Sequence, residues 1–237
     1  MSKLYFFRHA QASYGAANYD KLSPKGEEQS AILGKHLVRK GFKFDRIFVG
    51  PLVRQQHTFR IVKDVFQQNG ITLPEPIILE GLKEHSGTQA TKIALPKLAN
   101  KYPVIKKLYA DIDANPALKK RNSILAFRFF MSQWVVGKIE IEGIEPWTTF
   151  RSEVKKALNT ILEATQSKEN IGIFSSGGTI SAITAEALKV TDEERVGEMN
   201  FAIRNTAFSS FFYSDKKFNL LSFNELPHLE EEMITFI

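Results

Sequence analysis

Large apolar residues gather along the chain in short blocks that break off on polar residues or glycine. Leu4-Tyr5-Phe6-Phe7 stops on Arg8 and His9, with nothing polar at helical spacing inside it, which predicts a buried strand ending at Arg8. Phe44–Val49, Ile77–Leu82 and Asn170–Phe174 read as further short strands. The chain closes with two antiparallel ones, Thr206–Tyr213 and Phe218–Phe223, joined through Ser214-Asp215-Lys216-Lys217. Between these blocks the spacing changes to three and four. Ala31, Leu33, Leu37 and Val38 mark a helix that Ser23 caps, Pro24 begins and Gly41 ends. Phe59, Val62, Val65 and Phe66 mark a second, opened by Gly50-Pro51-Leu52, and Val154, Leu158, Ile161 and Leu162 mark a third. The small residues from Ala12 to Asn18 form a loop.

The alternation of strand and helix stops from about Thr88 to Trp147. That stretch is lysine-rich and helical in pattern, and the aromatic stripe around Phe127, Phe129, Phe130 and Trp134 predicts the packed underside of a cap folded over the rest. The pattern as a whole is one α/β domain over 1–237, with a mostly helical cap insertion at about 88–147. Glu230-Glu231-Glu232 reads as a solvated tail.

Composition narrows the function. With 43% hydrophobic and 24% charged residues over 237 positions, the chain can bury a large core and is not disordered. It has no cysteine, which removes disulfides, thiolate metal sites and a cysteine nucleophile. The five histidines show no metal-ligand spacing. The first apolar run is too short for a signal peptide and no stretch approaches membrane-spanning length, so a cytoplasmic protein without a membrane partner is expected. The net charge of +6 comes from scattered lysines without nucleic-acid motifs, so the expected partner is a small anionic substrate, not nucleic acid.

The chemistry sits where strands end. In open α/β sheets the carboxyl ends of strands expose binding groups, so Arg8 and His9 would emerge at a crevice. A neutral imidazole is a nucleophile near neutral pH, and a guanidinium can neutralise the phosphoryl group it attacks. Arg54, in the first turn of its helix, points with the free backbone N–H groups of that turn toward an anion. Ser175-Ser176-Gly177-Gly178 is a strand running through a glycine turn into a helix, geometry that lets backbone N–H groups approach a phosphate.

Together these junctions resemble the histidine phosphatase superfamily, also called phosphoglycerate mutase-like. Phe7-Arg8-His9-Ala10-Gln11 resembles its Arg-His-Gly signature, and Leu22-Ser23-Pro24-Lys25-Gly26-Glu27-Glu28-Gln29 its Leu-Ser-x-x-Gly-x-x-Gln helix start. Pro51 to Thr58 resembles its second arginine motif, Leu82-Lys83-Glu84 its acidic motif, and Ser175 to Gly178 its Ser-His-Gly-Gly. Asn205-Thr206 and Asn224 to Leu229 are similar to its closing strands. The resemblance implies a three-layer α/β sandwich, with a mostly parallel central sheet and helices on both faces. It implies that His9 is the phosphoryl-accepting nucleophile and that Glu84 is the proton donor to the leaving oxygen, then the base for water. Arg8, Arg54, Ser176 and Gln11 would bind the phosphoryl group. No cofactor or metal is implied, because arginines can supply the positive charge that a phosphoryl transition state asks for.

Two positions depart from the family pattern. Ala10 replaces the glycine after His9, and Ser176 stands where the family has its second catalytic histidine. A serine can donate one hydrogen bond to a phosphoryl oxygen but is never cationic. His57 and His85 are the candidates to fill that gap, whereas His36 is expected on a helix surface and His228 in a structural role. The expected activity is metal-independent hydrolysis of a phosphomonoester through phospho-His9. The alternatives are a catalytically silent relative that binds phosphorylated ligands and, second, a phosphoglycerate mutase. The sequence leaves the substrate and the oligomeric state, monomer or dimer, open.

Overall fold

The computed structural model describes residues 1–13 and 20–236; the loop expected at 12–18 lies outside them from Tyr14 onward. Its six-stranded sheet has the order β3-β2-β4-β1-β5-β6. β1 (Ser2–Arg8), β2 (Arg46–Val49), β3 (Pro76–Ile78) and β4 (Asn170–Ser175) are parallel, and β5 (Phe208–Ser214) and β6 (Lys217–Glu225) add an antiparallel edge beside β1. β1 and β4 are in register from Lys3 opposite Asn170 to Arg8 opposite Ser175, so their two polar ends finish side by side.

The uninterrupted apolar character of β1 has a direct cause, since neighbouring residues serve opposite faces of the sheet. Phe7 packs with Leu33 and Leu37 of α1 (Pro24–Arg39), Phe59, Val62 and Phe66 of α2 (Val53–Gln68), and Phe174. Leu4 and Phe6 face the other layer, with Val154, Leu158 and Ile161 of α6 (Trp147–Ala164) and Ile180 and Ile183 of α7 (Gly177–Leu188). Both layers are dry at the strand, where Leu4, Phe6 and Phe7 have no exposed surface. α1 begins where expected: Pro24 takes the first helical position and Ser23 Oγ accepts the Gly26 N–H at 3.0 Å.

The segment between β3 and α6 holds α3 (Gly87–Lys101), α4 (Pro103–Ala114) and α5 (Lys119–Trp134). The Leu125–Met131 run lies within α5, and the stripe is half inward, with Phe130, Met131 and Trp134 buried. Leu95, Ala126, Phe130 and Trp134 join the same apolar cluster as α6 and α7, so these helices share a core with one layer of the sandwich.

Three expectations need correction. The strand expected at Ile77–Leu82 is only Pro76–Ile78, because Glu80–Leu82 turns into a 3-10 helix. There the Leu82 carbonyl leaves the sheet to accept hydrogen bonds from Gln55 and Ser175 side chains. His36 is not on a surface: it is 5% exposed, its ring 5.6 Å from that of His228. The Glu230–Glu232 glutamates are exposed, but their segment is docked. Gln29 Nε2 donates to the Met233 carbonyl at 2.7 Å, and Asn205 N–H to the Thr235 carbonyl at 2.9 Å. The sequence reading also passed over α8 (Glu193–Ala202), a short helix capped by Asp192.

Candidate active site

His9 leaves the carboxyl end of β1 and is 3% exposed. Its backbone is held from three sides. The His9 N–H donates to the Ser175 carbonyl at 2.9 Å, the His9 carbonyl accepts from Asn205 Nδ2 at 3.2 Å, and the next N–H, of Ala10, donates to Thr58 Oγ1 at 3.0 Å. The ring is held as firmly. Nδ1 lies 2.7 Å from the Ala10 carbonyl, which can only accept, so Nδ1 carries the hydrogen. Nε2 is left with its lone pair, which accepts the Arg54 Nε–H at 3.1 Å. The imidazole is thus a neutral ring of defined tautomer. Burial, then the charges of Arg54 and Arg8, hold its pKa well below the usual histidine value.

Arg54 itself is 6% exposed and shares its charge with Asp20, whose Oδ1 lies 2.7 Å from Nη1. The Asp20 carboxylate also accepts the N–H groups of Val53 at 2.9 Å and Arg54 at 3.4 Å, so the protein's own carboxylate occupies the amino end of α2. Thr58, one turn on, donates to the Arg54 carbonyl at 2.8 Å and so joins α2 to Ala10. Arg8 donates from Nη1 to the Ile203 carbonyl at 2.5 Å, and its guanidinium lies over the start of α7, where a Cβ added to Gly177 would stand 3.5 Å from Arg8 Nε.

Glu84 follows β3 and hangs on the turn after β4. Its Oε2 accepts the Gly178 N–H at 3.2 Å, its Oε1 accepts the His85 N–H at 3.0 Å, and Thr179 Oγ1 donates to the Lys83 carbonyl at 2.5 Å. A side chain at 178 would have to displace this carboxylate and the His85 ring, since an added Cβ would fall 2.2 Å from Glu84 Oε1 and 2.4 Å from His85 Cδ2. Ser176 caps the β4 end, fully buried, and its Oγ accepts from Gln55 Nε2 at 2.8 Å.

The expected residues therefore meet at the carboxyl ends of the parallel strands β1, β2, β3 and β4. Gln11, two residues beyond His9, has its side-chain oxygen accepting from Ser23 Oγ at 2.8 Å, at the amino end of α1. Of the two candidate substitute histidines, His57 is half-buried on α2, and its ring makes no hydrogen bond among the described residues. His85 is drawn in. It is 7% exposed, walled by Trp134, Trp147 and Phe150, with Nδ1 accepting the Gly87 N–H at 3.0 Å and Nε2 3.5 Å from Glu84 Oε1. Burial lowers its pKa, the Glu84 charge opposes that and Arg54 adds to it, so His85 backs the carboxylate as a neutral ring. Asp20, Gln55, Thr58 and Asn205 were not foreseen in these roles. Each is a polar residue that acts through a partner far away in the chain, and Gln55, Thr58 and Asn205 are buried there.

Comparison with known proteins places this arrangement. None of the curated proteins compared matches the chain. Among solved structures, the α-ribazole phosphatase of Shigella flexneri is 18% identical, with a TM-score of 0.61 over 94% of this chain and 96% of that one. A phosphoserine phosphatase of Entamoeba histolytica, solved with phosphoserine, is 18% identical, with a TM-score of 0.59 over 97% of this chain and all of that one. The phosphoglycerate mutase of Bacillus anthracis str. Sterne is 17% identical, with a TM-score of 0.62 over 94% of this chain and 93% of that one. At such identities the likeness establishes the α/β fold and not an activity. A sequence model of one family matches residues 4–226, nearly the whole chain, and by it the protein belongs to the histidine phosphatase superfamily (branch 1).

Proposed function

We propose that the protein hydrolyses small phosphomonoesters through a phosphohistidine on His9. The observation that carries this reading is the pair of bonds that fix the His9 tautomer, Nδ1–H on the Ala10 carbonyl and an Nε2 lone pair facing the Arg54 guanidinium. A buried neutral imidazole with its basic nitrogen beside a cation serves an anionic electrophile. The substrate phosphoryl takes over Arg54 Nε–H from the ring, which frees the lone pair to attack phosphorus in line.

The steps balance as follows. His9 Nε2 forms a bond to phosphorus while the ester P–O bond breaks, and protonated Glu84 gives its proton to the leaving oxygen. The ring, now substituted on Nε2, keeps its Nδ1–H on the Ala10 carbonyl, which steadies the positive charge that it gains. Water then attacks phosphorus, the Glu84 carboxylate takes its proton, the N–P bond breaks, and inorganic phosphate leaves neutral His9. Arg8 and Arg54 hold the equatorial oxygens, and Ser176 donates one hydrogen bond. Small phosphorylated metabolites are the substrate class that best fits a scaffold like that of phosphatases for α-ribazole phosphate and phosphoserine.

A second reading, a silent phosphate-binding relative, is favoured by Ser176 at the place of the family's second histidine. Turnover of an aryl phosphate by the wild type and by His9→Ala, with acid-labile phosphate labelling, separates the two. Turnover and labelling that both depend on His9 support the hydrolase; binding of vanadate without turnover supports the silent relative.

A further inference from the structure

Gln55 is a fully buried amide in the first turn of α2, next to Arg54. It joins three of the segments that build the site. Its Oε1 accepts the Leu52 N–H at 3.0 Å, and its Nε2 donates to the Leu82 carbonyl at 2.9 Å and to Ser176 Oγ at 2.8 Å. The partners decide which end of the amide is which: a backbone N–H can only donate and a backbone carbonyl only accept, so the amide cannot be turned over. It packs directly on the Gly50 backbone, where an added Cβ would lie 2.1 Å from Gln55 Oε1, so the absence of a side chain at 50 makes room for the amide.

This fixes the hydroxyl of Ser176. Its oxygen receives a hydrogen from Gln55, so its own hydrogen must go elsewhere. The Leu82 carbonyl is closed to it, with both lone pairs engaged by Gln55 Nε2 and by Ser175 Oγ at 2.8 Å. Among the described residues no acceptor takes the Ser176 hydrogen.

We propose that Gln55 is a positioning residue for phosphoryl transfer: it turns Ser176 into a one-way donor whose hydrogen is kept for an oxygen of the bound phosphoryl group. This rests on the reading of the site as a phosphoryl-binding centre and adds the residue that lets a serine serve at position 176.

The test is a double-mutant cycle on the full chain with Gln55→Met, which keeps volume but loses both donors, and Ser176→Ala. A second arm uses Gln55→Glu, of the same shape but with at most one hydrogen where the amide has two. Turnover of 4-nitrophenyl phosphate and the inhibition constant of orthovanadate are measured for each. Ser176→Ala is expected to lower kcat on the order of 10²-fold, as for loss of one preorganised donor. Either Gln55 variant alone should lower it at least ten-fold, and in the Ser176→Ala background should lower it no further. Equal losses in both backgrounds, or no loss in either folded variant, overturn the proposal. If the wild type binds vanadate without turnover, the hydrolase reading fails while the same cycle, read in vanadate affinity, still decides the role of Gln55. A wild type that neither turns over nor binds vanadate overturns both.

Discussion

Asp20 Oδ1 lies 2.7 Å from Arg54 Nη1, and the same carboxylate accepts the first N–H groups of α2, so one side chain both caps that helix and aims the guanidinium that meets His9. Arg54 is nearly buried, whereas the Asp20 side chain is 31% exposed. Replacing Asp20 by alanine removes one carboxylate from beside the buried cation and the acceptor for the first α2 N–H groups, and should cost about 1–3 kcal/mol of stability. It also frees the guanidinium to turn away from Nε2. Denaturant unfolding should show the loss in the midpoint, and kcat should fall on the order of 10²-fold, as for a catalytic group misplaced by about an ångström. Asp20→Asn keeps an acceptor for the α2 amides and should retain more of the stability than of the activity.

The Arg54–His9 contact also controls protonation. Arg54 lowers the affinity of His9 for a proton both by its charge and by filling the Nε2 lone pair with a donor. Arg54→Met removes both effects, so the pKa of His9 should rise toward the ordinary histidine value near 6.5, which titration of its ring protons by NMR would record. In the wild type His9 should show no protonation step near that value. The acid limb of kcat/KM should accordingly lie below it and move up in the variant, in which turnover falls on the order of 10³-fold because a phosphoryl-binding cation is gone. A wild-type His9 titrating normally would remove the basis for this expectation.

Much of this site was legible in the chain because each member ends a hydrophobic block. Four apolar residues before Arg8, and the Ile171–Phe174 run before the Ser176 turn, announce parallel strands whose carboxyl ends must lie together. Position along one strand is local information. Asp20, Gln55 and Asn205 were not legible because their meaning comes from contacts with Arg54, Ser176 and the His9 carbonyl, which the sequence does not place. The third strand was over-extended for a related reason. Ile77–Leu79 is apolar, but Glu80-Gly81 breaks the block, and the chain turns there so that the Leu82 carbonyl serves Gln55 and Ser175 and not the sheet ladder. Ser175 and Ser176 show the same limit from the other side, adjacent and identical in type, one giving its hydrogen to Leu82 and the other receiving one from Gln55.

His85 should matter to turnover as well as to folding. Its ring sits among Trp134, Trp147 and Phe150, at centroid distances of 5.9, 5.5 and 5.6 Å, a setting that phenylalanine also fits. His85→Phe keeps the aromatic packing but strands the buried Gly87 N–H, and should cost about 1–3 kcal/mol of stability. It removes the ring Nε2, which lies 3.0 Å from Asn200 Nδ2 and 3.5 Å from Glu84 Oε1, and the acceptor for the Gly87 N–H. With Glu84 less firmly oriented, kcat should fall roughly ten-fold or more while KM stays near its wild-type value, because Glu84 acts on the leaving oxygen and not in binding the phosphoryl group. An equal rise in KM with kcat unchanged would assign His85 to substrate binding instead.

Acid should unfold the protein through its buried histidines, and His228 gives the clearest handle. Thr206 Oγ1 donates to the Asn205 carbonyl at 2.7 Å and so accepts from His228 Nε2–H at 3.0 Å, which leaves His228 Nδ1 as a buried lone pair without a partner among the described residues. A proton arriving there would be buried, close to the His36 ring and to the positive charges of Arg39 and Lys40 beside it, with only Glu225 acting on His36 in the opposite direction. Burial, then His36, lower the His228 pKa from 6.5 to about 4. The unfolded chain therefore binds the proton first as pH falls. The stability contributed by neutral His228 is complete above about 6.5 and is lost progressively down to about 4, to a total of up to about 3 kcal/mol. His9, His36 and His85 are shifted in the same direction and add to the slope. In His228→Gln, whose amide can still donate to Thr206 but does not titrate, the fall in Tm between pH 6.5 and 4 should be visibly shallower than in the wild type, with the two proteins closest at the acid end. Parallel Tm curves across that window would mean that His228 titrates alike in the folded and unfolded chains.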